Sequence, residues 1–257
     1  MMFSRHIGID YSGAETAEWR RPGLQVFMAT GDETVPQQVV TPAAPEGKRW
    51  NWNRKEIASW LIAQAQHGEP YIAGIDHAFS FPLAYMKRHG LTTWDAFLAD
   101  FSQHWPTDQP NVYVEQFRGK NSRTGSPDEL RLTERWTSSA KSVFAWDGQG
   151  KVAHSTHAGL PWLRHIRQEA GKRIHFWPFD GWEVPSDKSV IAEVYPAIFK
   201  KRYAREARSD HEHDAYAVAR WLSEMDQGCV LDRYFDPPLN DEEQAPADLE
   251  GWILGIT

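Results

Sequence analysis

Four carboxylates in this chain stand where a charge is costly to bury: Asp10, Asp76, Glu193 and Asp214. Asp10 closes the run R-H-I-G-I-D that begins at Arg5, and Asp76 closes Y-I-A-G-I-D, which begins at Tyr71. Glu193 lies inside V-I-A-E-V, between Val190 and Val194. A carboxylate in an apolar strand must be paired, hydrogen-bonded or coordinated. Acids gathered without partners repel one another unless a divalent cation holds them. Their hard oxygens suit Mg²⁺ or Mn²⁺. Two such ions about 3.5–4 Å apart activate a water and stabilise the leaving oxygen of a phosphodiester. The chemistry these residues suggest is therefore metal-assisted phosphodiester hydrolysis. For Asp10 the competing reading is a strand-end acid that caps the turn through Ser12 and Gly13.

The elements that would position these acids follow from periodicity. Side chains alternate along a strand, so His6, Gly8 and Asp10 share one face while Ile7 and Ile9 share the other. Each Gly-Ile-Asp strand has a Gly two residues before its Asp, on the same face, which leaves room for a close-packed helix or a ligand. Leu24 to Thr30 reads as a strand, and Val35 to Val40 as an edge strand because of Pro36. Asn53 to Gln66 reads as a helix with Asn53 as N-cap. Helices are also expected at Leu83 to His89, Thr92 to His104 and Thr156 to Ala170. Arg173 to Phe179 reads as a strand, and a helix is expected after Pro196.

Ser209 to Met225 is the best-signalled helix, since Ser209-Asp210-His211-Glu212 matches a capping box. That gives Glu212 a structural role. Asp214 shares a helical stripe with Val218, Trp221, Leu222 and Met225, so it sits at the inner edge of the helix. Asp210 lies one turn earlier on the same line. The expected site has Asp10, Asp76 and Asp214 at its centre, with Glu193 or Asp210 at the periphery. His213 is a candidate proton donor because histidine titrates near neutral pH. Trp50 and Trp52 are candidates to stack on bases, with loop anchoring as the alternative.

Composition sets the bounds. The chain has 257 residues, 41% hydrophobic and 25% charged, as in an ordinary globular protein. Its 13 Trp are numerous enough to serve a core and to line a cleft as well. The single Cys, Cys229, excludes an intrachain disulfide and a cysteine metal cage. No apolar run suits a signal peptide or a membrane span, so a cytoplasmic location is expected. A net charge of −7 argues against non-specific coating of nucleic acid, and it leaves room for a local basic groove. Such a groove is expected between Arg118 and Lys141, with Arg118, Arg131 and Arg135 as phosphate contacts; the competing reading is a solvated charged surface. The acidic stretch from Asp236 to Glu250 is expected to be a loosely packed tail within a C-terminal segment, 236–257.

Taken in order, Gly8-Ile9-Asp10, Asp76, Glu193-Val194-Tyr195-Pro196 and Asp210-x-x-x-Asp214-Ala215 resemble the ribonuclease H-like fold. The chain most resembles the family called domain of unknown function 429, predicted nucleases, over roughly Arg5 to Met225. The resemblance implies an α/β domain over 1–235: a ribonuclease H-like mixed sheet flanked by helices. It would carry a large insertion, about 83–151, between the fourth and fifth core strands. It also implies that acids on the first strand, the fourth strand and the last helix bind the metals, which maps to Asp10, Asp76 and Asp214. Nucleic acid or a nucleotide is then the expected partner, with no membrane. Two alternatives are a phosphotransferase of the sugar kinase and actin type, with Asp10-Tyr11-Ser12-Gly13 as a phosphate loop, and a non-catalytic ribonuclease H-like binding module.

Overall fold

The two runs that end in Asp10 and Asp76 lie side by side. The computed structural model describes residues 1–137, 139–146 and 152–257. Its strands are β1 (Arg5–Asp10), β2 (Gln25–Thr30), β3 (Gln37–Gln38), β4 (Tyr71–Asp76), β5 (Ile174–Trp177) and β6 (Ser189–Glu193). They form one mixed sheet in the order β3-β2-β1-β4-β6-β5. β1 and β4 are parallel, with Asp10 opposite Asp76. β6 continues in parallel beside β4 and then β5, whereas β2 and β3 are antiparallel additions on the other side. The third strand is shorter than the expected Val35 to Val40 and lies at the edge. Pro36, just before it, has no N–H to donate to a ladder.

Helices cover both faces: α1 (Arg54–His67), α2 (Leu83–His89), α3 (Trp94–His104), α4 (Leu132–Trp136), α5 (Val152–Ala170), α6 (Asp210–Gln227) and α7 (Asp241–Glu250). Asn53 caps α1 by accepting a hydrogen bond from the Glu56 N–H at 2.8 Å. On one face, Ile7 and Ile9 join Ile57, Leu61, Leu160 and Leu163 in the main core. On the other, α6 lies against β1 and β2. The step from β1 through α1 to β4 is the strand-helix-strand unit that sequence order predicts.

Two expectations need correction. The segment after Pro196 forms two 3-10 turns, Pro196–Ile198 and Lys200–Arg202, and no α-helix. Phe199 leaves helical geometry between them, and its ring stacks on Trp221 with centroids 4.8 Å apart. Burying that ring outweighs continuing a short exposed helix. Residues 236–257 are not a loose tail. Asp241, Glu242 and Glu243 occupy the first turn of α7, where acids suit the helix dipole. After it, Trp252, Ile253 and Leu254 are buried, and Leu254 bridges to Val194 beside β6.

The core also holds a neutral histidine with a measurable consequence. His157 is buried among Trp105, Trp146, Phe81 and Phe101, with ring centroids 4.5 to 5.4 Å away. Its Nδ1 hydrogen-bonds the Ala153 carbonyl at 2.7 Å, and Nε2 has no partner. Burial pushes its pKa down to about 3. The unfolded chain therefore takes up a proton that the folded protein refuses. Stability is complete above the unfolded value of about 6.5 and falls as pH drops below it, by about 1.4 kcal/mol per unit for this group. His77, lowered to about 4 for the same first reason, adds to the slope. Urea unfolding of wild type and His157→Phe from pH 7 to 5 should show a shallower decline in the variant. Parallel curves would disprove the assignment.

Candidate metal centre

Two glycines let α6 approach the strand ends. A Cβ on Gly8 would meet the Ala215 carbonyl oxygen at 2.1 Å, and one on Gly74 would meet the Val218 side chain at 2.7 Å. The glycines that precede Asp10 and Asp76 thus make room for a helix. That helix carries Asp214 in its first turns. Directly opposed residues of adjacent strands point to one face, so Asp10 and Asp76 face α6 together. Asp10, Asp76 and Asp214 each present a carboxylate oxygen, and these three oxygens lie within 4.8 Å of one another.

Two basic side chains reach this trio. The Nδ1 of His211 hydrogen-bonds an Asp10 oxygen at 2.7 Å. The Nζ of Lys200 donates to both Asp214 oxygens, at 2.8 and 3.0 Å. Burial raises the Asp10 pKa, and the His211 hydrogen bond opposes that rise. The hydrogen bond to Asp10 in turn raises His211 above its ordinary value. Burial works against the Lys200 charge, yet its bonds to Asp214 and the nearby carboxylates raise its pKa overall. Asp76 is raised well above the usual carboxylate range, by burial and then by the charges of Asp10 and Asp214, with the Lys200 charge opposing them. An oxygen-only donor set gathered this closely fits a hard divalent cation.

The remaining candidates lie elsewhere. Glu193 is not an open carboxylate: both its oxygens accept from Arg131, at 2.5 and 2.7 Å, and one also accepts from the Phe79 N–H at 2.9 Å. Arg131, 1% exposed, is held by Glu193 and by Glu134, so it is not available as a phosphate contact. Asp210 points outward to Arg205 at 2.7 Å, its side chain 80% exposed, and does not join the trio. Arg118 lies over the Trp146 ring and 3.7 Å from Glu115. Arg135 is exposed on α4. Arg123, also in the expected basic groove, is committed to Asp100. His213 is buried, with a backbone hydrogen bond to Lys200 and none to the trio. Trp52 anchors a loop by donating to the Val39 carbonyl, whereas Trp50 remains exposed.

His211 and Lys200 are the contributors that sequence reasoning missed. His211 precedes Asp214 by three residues, a spacing that puts both on one helix face, so a signal was present. Lys200 carried none, since it follows an irregular turn among other basic residues. Beside Asp76 a cleft of about 110 Å³ opens, lined among the described residues by His77, Lys141, Val194 and Tyr195. No helix among the described residues is long and apolar enough to cross a membrane. Comparison with protein-family models, curated proteins and solved structures finds no match to this chain.

Proposed function

We propose that this protein is a metal-dependent phosphodiester hydrolase, a nuclease of the ribonuclease H-like type, with Mg²⁺ or Mn²⁺ held by Asp10, Asp76 and Asp214. The observation that carries the reading is the meeting of three carboxylate oxygens within 4.8 Å at the ends of two parallel strands and one helix. The acids stand on the first strand, the fourth strand and the helix packed across them, as the family resemblance implies. In this reading, residues 83–151 are an insertion between the fourth and fifth core strands, β4 and β5; within it, 138 and 147–151 lie outside the described residues.

A bound divalent ion would supply Lewis-acid polarisation of a phosphoryl oxygen and a more acidic water. The protein's own residues do the rest. Asp10, Asp76 and Asp214 orient oxygen donors toward one point. His211, hydrogen-bonded to Asp10, is placed to accept or deliver a proton at Nε2, the nitrogen Asp10 does not hold. Lys200 balances part of the trio's charge.

Thermal unfolding with a Mn²⁺ titration tests the reading, beside an assay of metal-dependent oligonucleotide cleavage. At about 100 times its dissociation constant, a ligand of the folded state stabilises by about 2.7 kcal/mol. For a domain of this size that raises Tm by about 5–10 °C. The expected result is this shift without ATP, accompanied by cleavage. No shift at millimolar Mn²⁺ would refute the metal centre, and a shift that requires ATP would favour a phosphotransferase.

A further inference from the structure

Arg131, at the centre of the expected basic groove, is buried between Glu193 and Glu134, whereas Arg135 and Lys141 are exposed, so a substrate strand can use a second path besides that groove. The sheet offers one. Asp10 pairs directly with Gln25 on β2, so Gln25 points to the same face as the acid trio. Gln38 pairs opposite Phe27, two residues along β2, and shares that face. The Gln38 amide donates to the Gln25 side chain at 2.9 Å and reaches Glu212, the residue after His211, at 3.4 Å. A polar row therefore runs Asp76, Asp10, Gln25, Gln38 across the strand ends.

Beyond that row lies Trp50. It is 44% exposed, a large apolar surface left in water. The guanidinium of Arg20 lies over its ring, 4.7 Å from the centroid. Gln25, Gln38, Arg49, Trp50 and Trp52 line a shallow recess. Its volume is about 40 Å³, room for a few waters and too little to enclose a nucleobase. A base would have to lie across the indole. Arg49 is exposed and lines the same recess as Gln38, whose amide reaches Glu212 on the helix that carries His211 and Asp214.

We propose that the surface formed by Trp50, Arg49, Gln25 and Gln38 is a binding subsite for single-stranded nucleic acid, where a base stacks on Trp50 and an adjoining phosphate meets Arg49. The inference rests on the phosphodiesterase reading in that the acid trio would receive a phosphate further along the same strand. Charge complementarity selects the ligand. An exposed indole, under a guanidinium of Arg20 that is itself paired with Glu56, and flanked by the exposed Arg49, suits an anion with planar faces, and base–aromatic stacking tolerates any base. A duplex keeps its bases stacked on each other and cannot offer one.

Fluorescence anisotropy with labelled short oligothymidylate and oligouridylate, in EDTA at low ionic strength, tests this without turnover. Trp50→Ala should weaken binding of one or both strands by about tenfold, and Trp50→Phe should retain most of it. Arg49→Gln should reduce the slope of log affinity against log salt by about one charge. Whichever strand shows the loss identifies the sugar the site accepts. Unchanged affinity in Trp50→Ala, absence of wild-type binding, a duplex that binds as well as a single strand, or displacement by polyglutamate as readily as by unlabelled strand would each overturn the proposal. Because no metal is present, the outcome is independent of the metal centre. A subsite lost in Trp50→Ala alongside an absent Mn²⁺ response would refute only the nuclease.

Discussion

Asp76→Asn should raise the metal-free melting temperature, abolish the response to Mn²⁺ and reduce metal-dependent cleavage by at least about 10²-fold. Burial first, and then the charges of Asp10 and Asp214, hold the Asp76 pKa well above the usual carboxylate range against the opposing charge of Lys200. The folded protein therefore binds the Asp76 proton more tightly than the unfolded chain does. Stability from this group is lost as pH rises from the unfolded value, about 3.9, through the raised folded one, a penalty on ionising Asp76 in the folded protein. Asparagine carries no charge and removes that penalty. A gain of about 1–2 kcal/mol corresponds to about 2–8 °C in Tm. The gap between variant and wild type should close as pH falls toward 4, because both are then uncharged at this position. Asp76 is a cleaner test than Asp10, whose carboxylate also holds His211. A variant that is less stable at neutral pH, or that keeps its Mn²⁺ shift, would show that Asp76 is a structural group.

Arg131→Met should be among the most destabilising substitutions in the chain, at about 3–5 kcal/mol. The guanidinium binds Glu193 through two nitrogens and Glu134 through Nε, and it also reaches the Glu250 carbonyl at 3.2 Å. These contacts tie α4, β6 and the end of α7 together. Without the arginine, Glu193 and Glu134 are left buried with their charges unpaired. Neutralising the acids as well, in a combined Arg131→Met, Glu193→Gln and Glu134→Gln variant, should recover part of the loss, because the penalty lies mainly in the uncompensated carboxylates. Urea denaturation of the three forms measures this. If the single variant falls within about 1 kcal/mol of wild type, the network is not a structural tie, and Glu193 regains its standing as a candidate for chemistry.

Local chemistry made most of the framework readable. The caps at Asn53 and Ser209 announce α1 and α6 because each side chain satisfies an N–H that the helix itself leaves unpaired. The Gly-Ile-Asp repeats announce β1 and β4. Asp214 falls on the apolar stripe of α6, so that stripe alone turns it toward the sheet. By contrast, Trp252 to Leu254 were overshadowed by the acidic run before them. Composition averages over a window, whereas burial is decided residue by residue.

The sequence by itself determined that Asp10 and Asp76 end neighbouring kinds of strand, that glycines precede them on one face, and that Asp214 looks inward from a capped helix. Each of these follows from backbone periodicity and capping, which act over a few residues. Only the tertiary structure decided which charges meet across long chain separations. It gave Glu193 to Arg131, turned Asp210 out to Arg205, and brought His211 to Asp10 and Lys200 to Asp214. An acid in an apolar strand must find a partner, but sequence spacing does not say which one. That choice depends on which side chains the packed sheet and helices bring within a few ångströms, where desolvation makes an unpaired charge expensive.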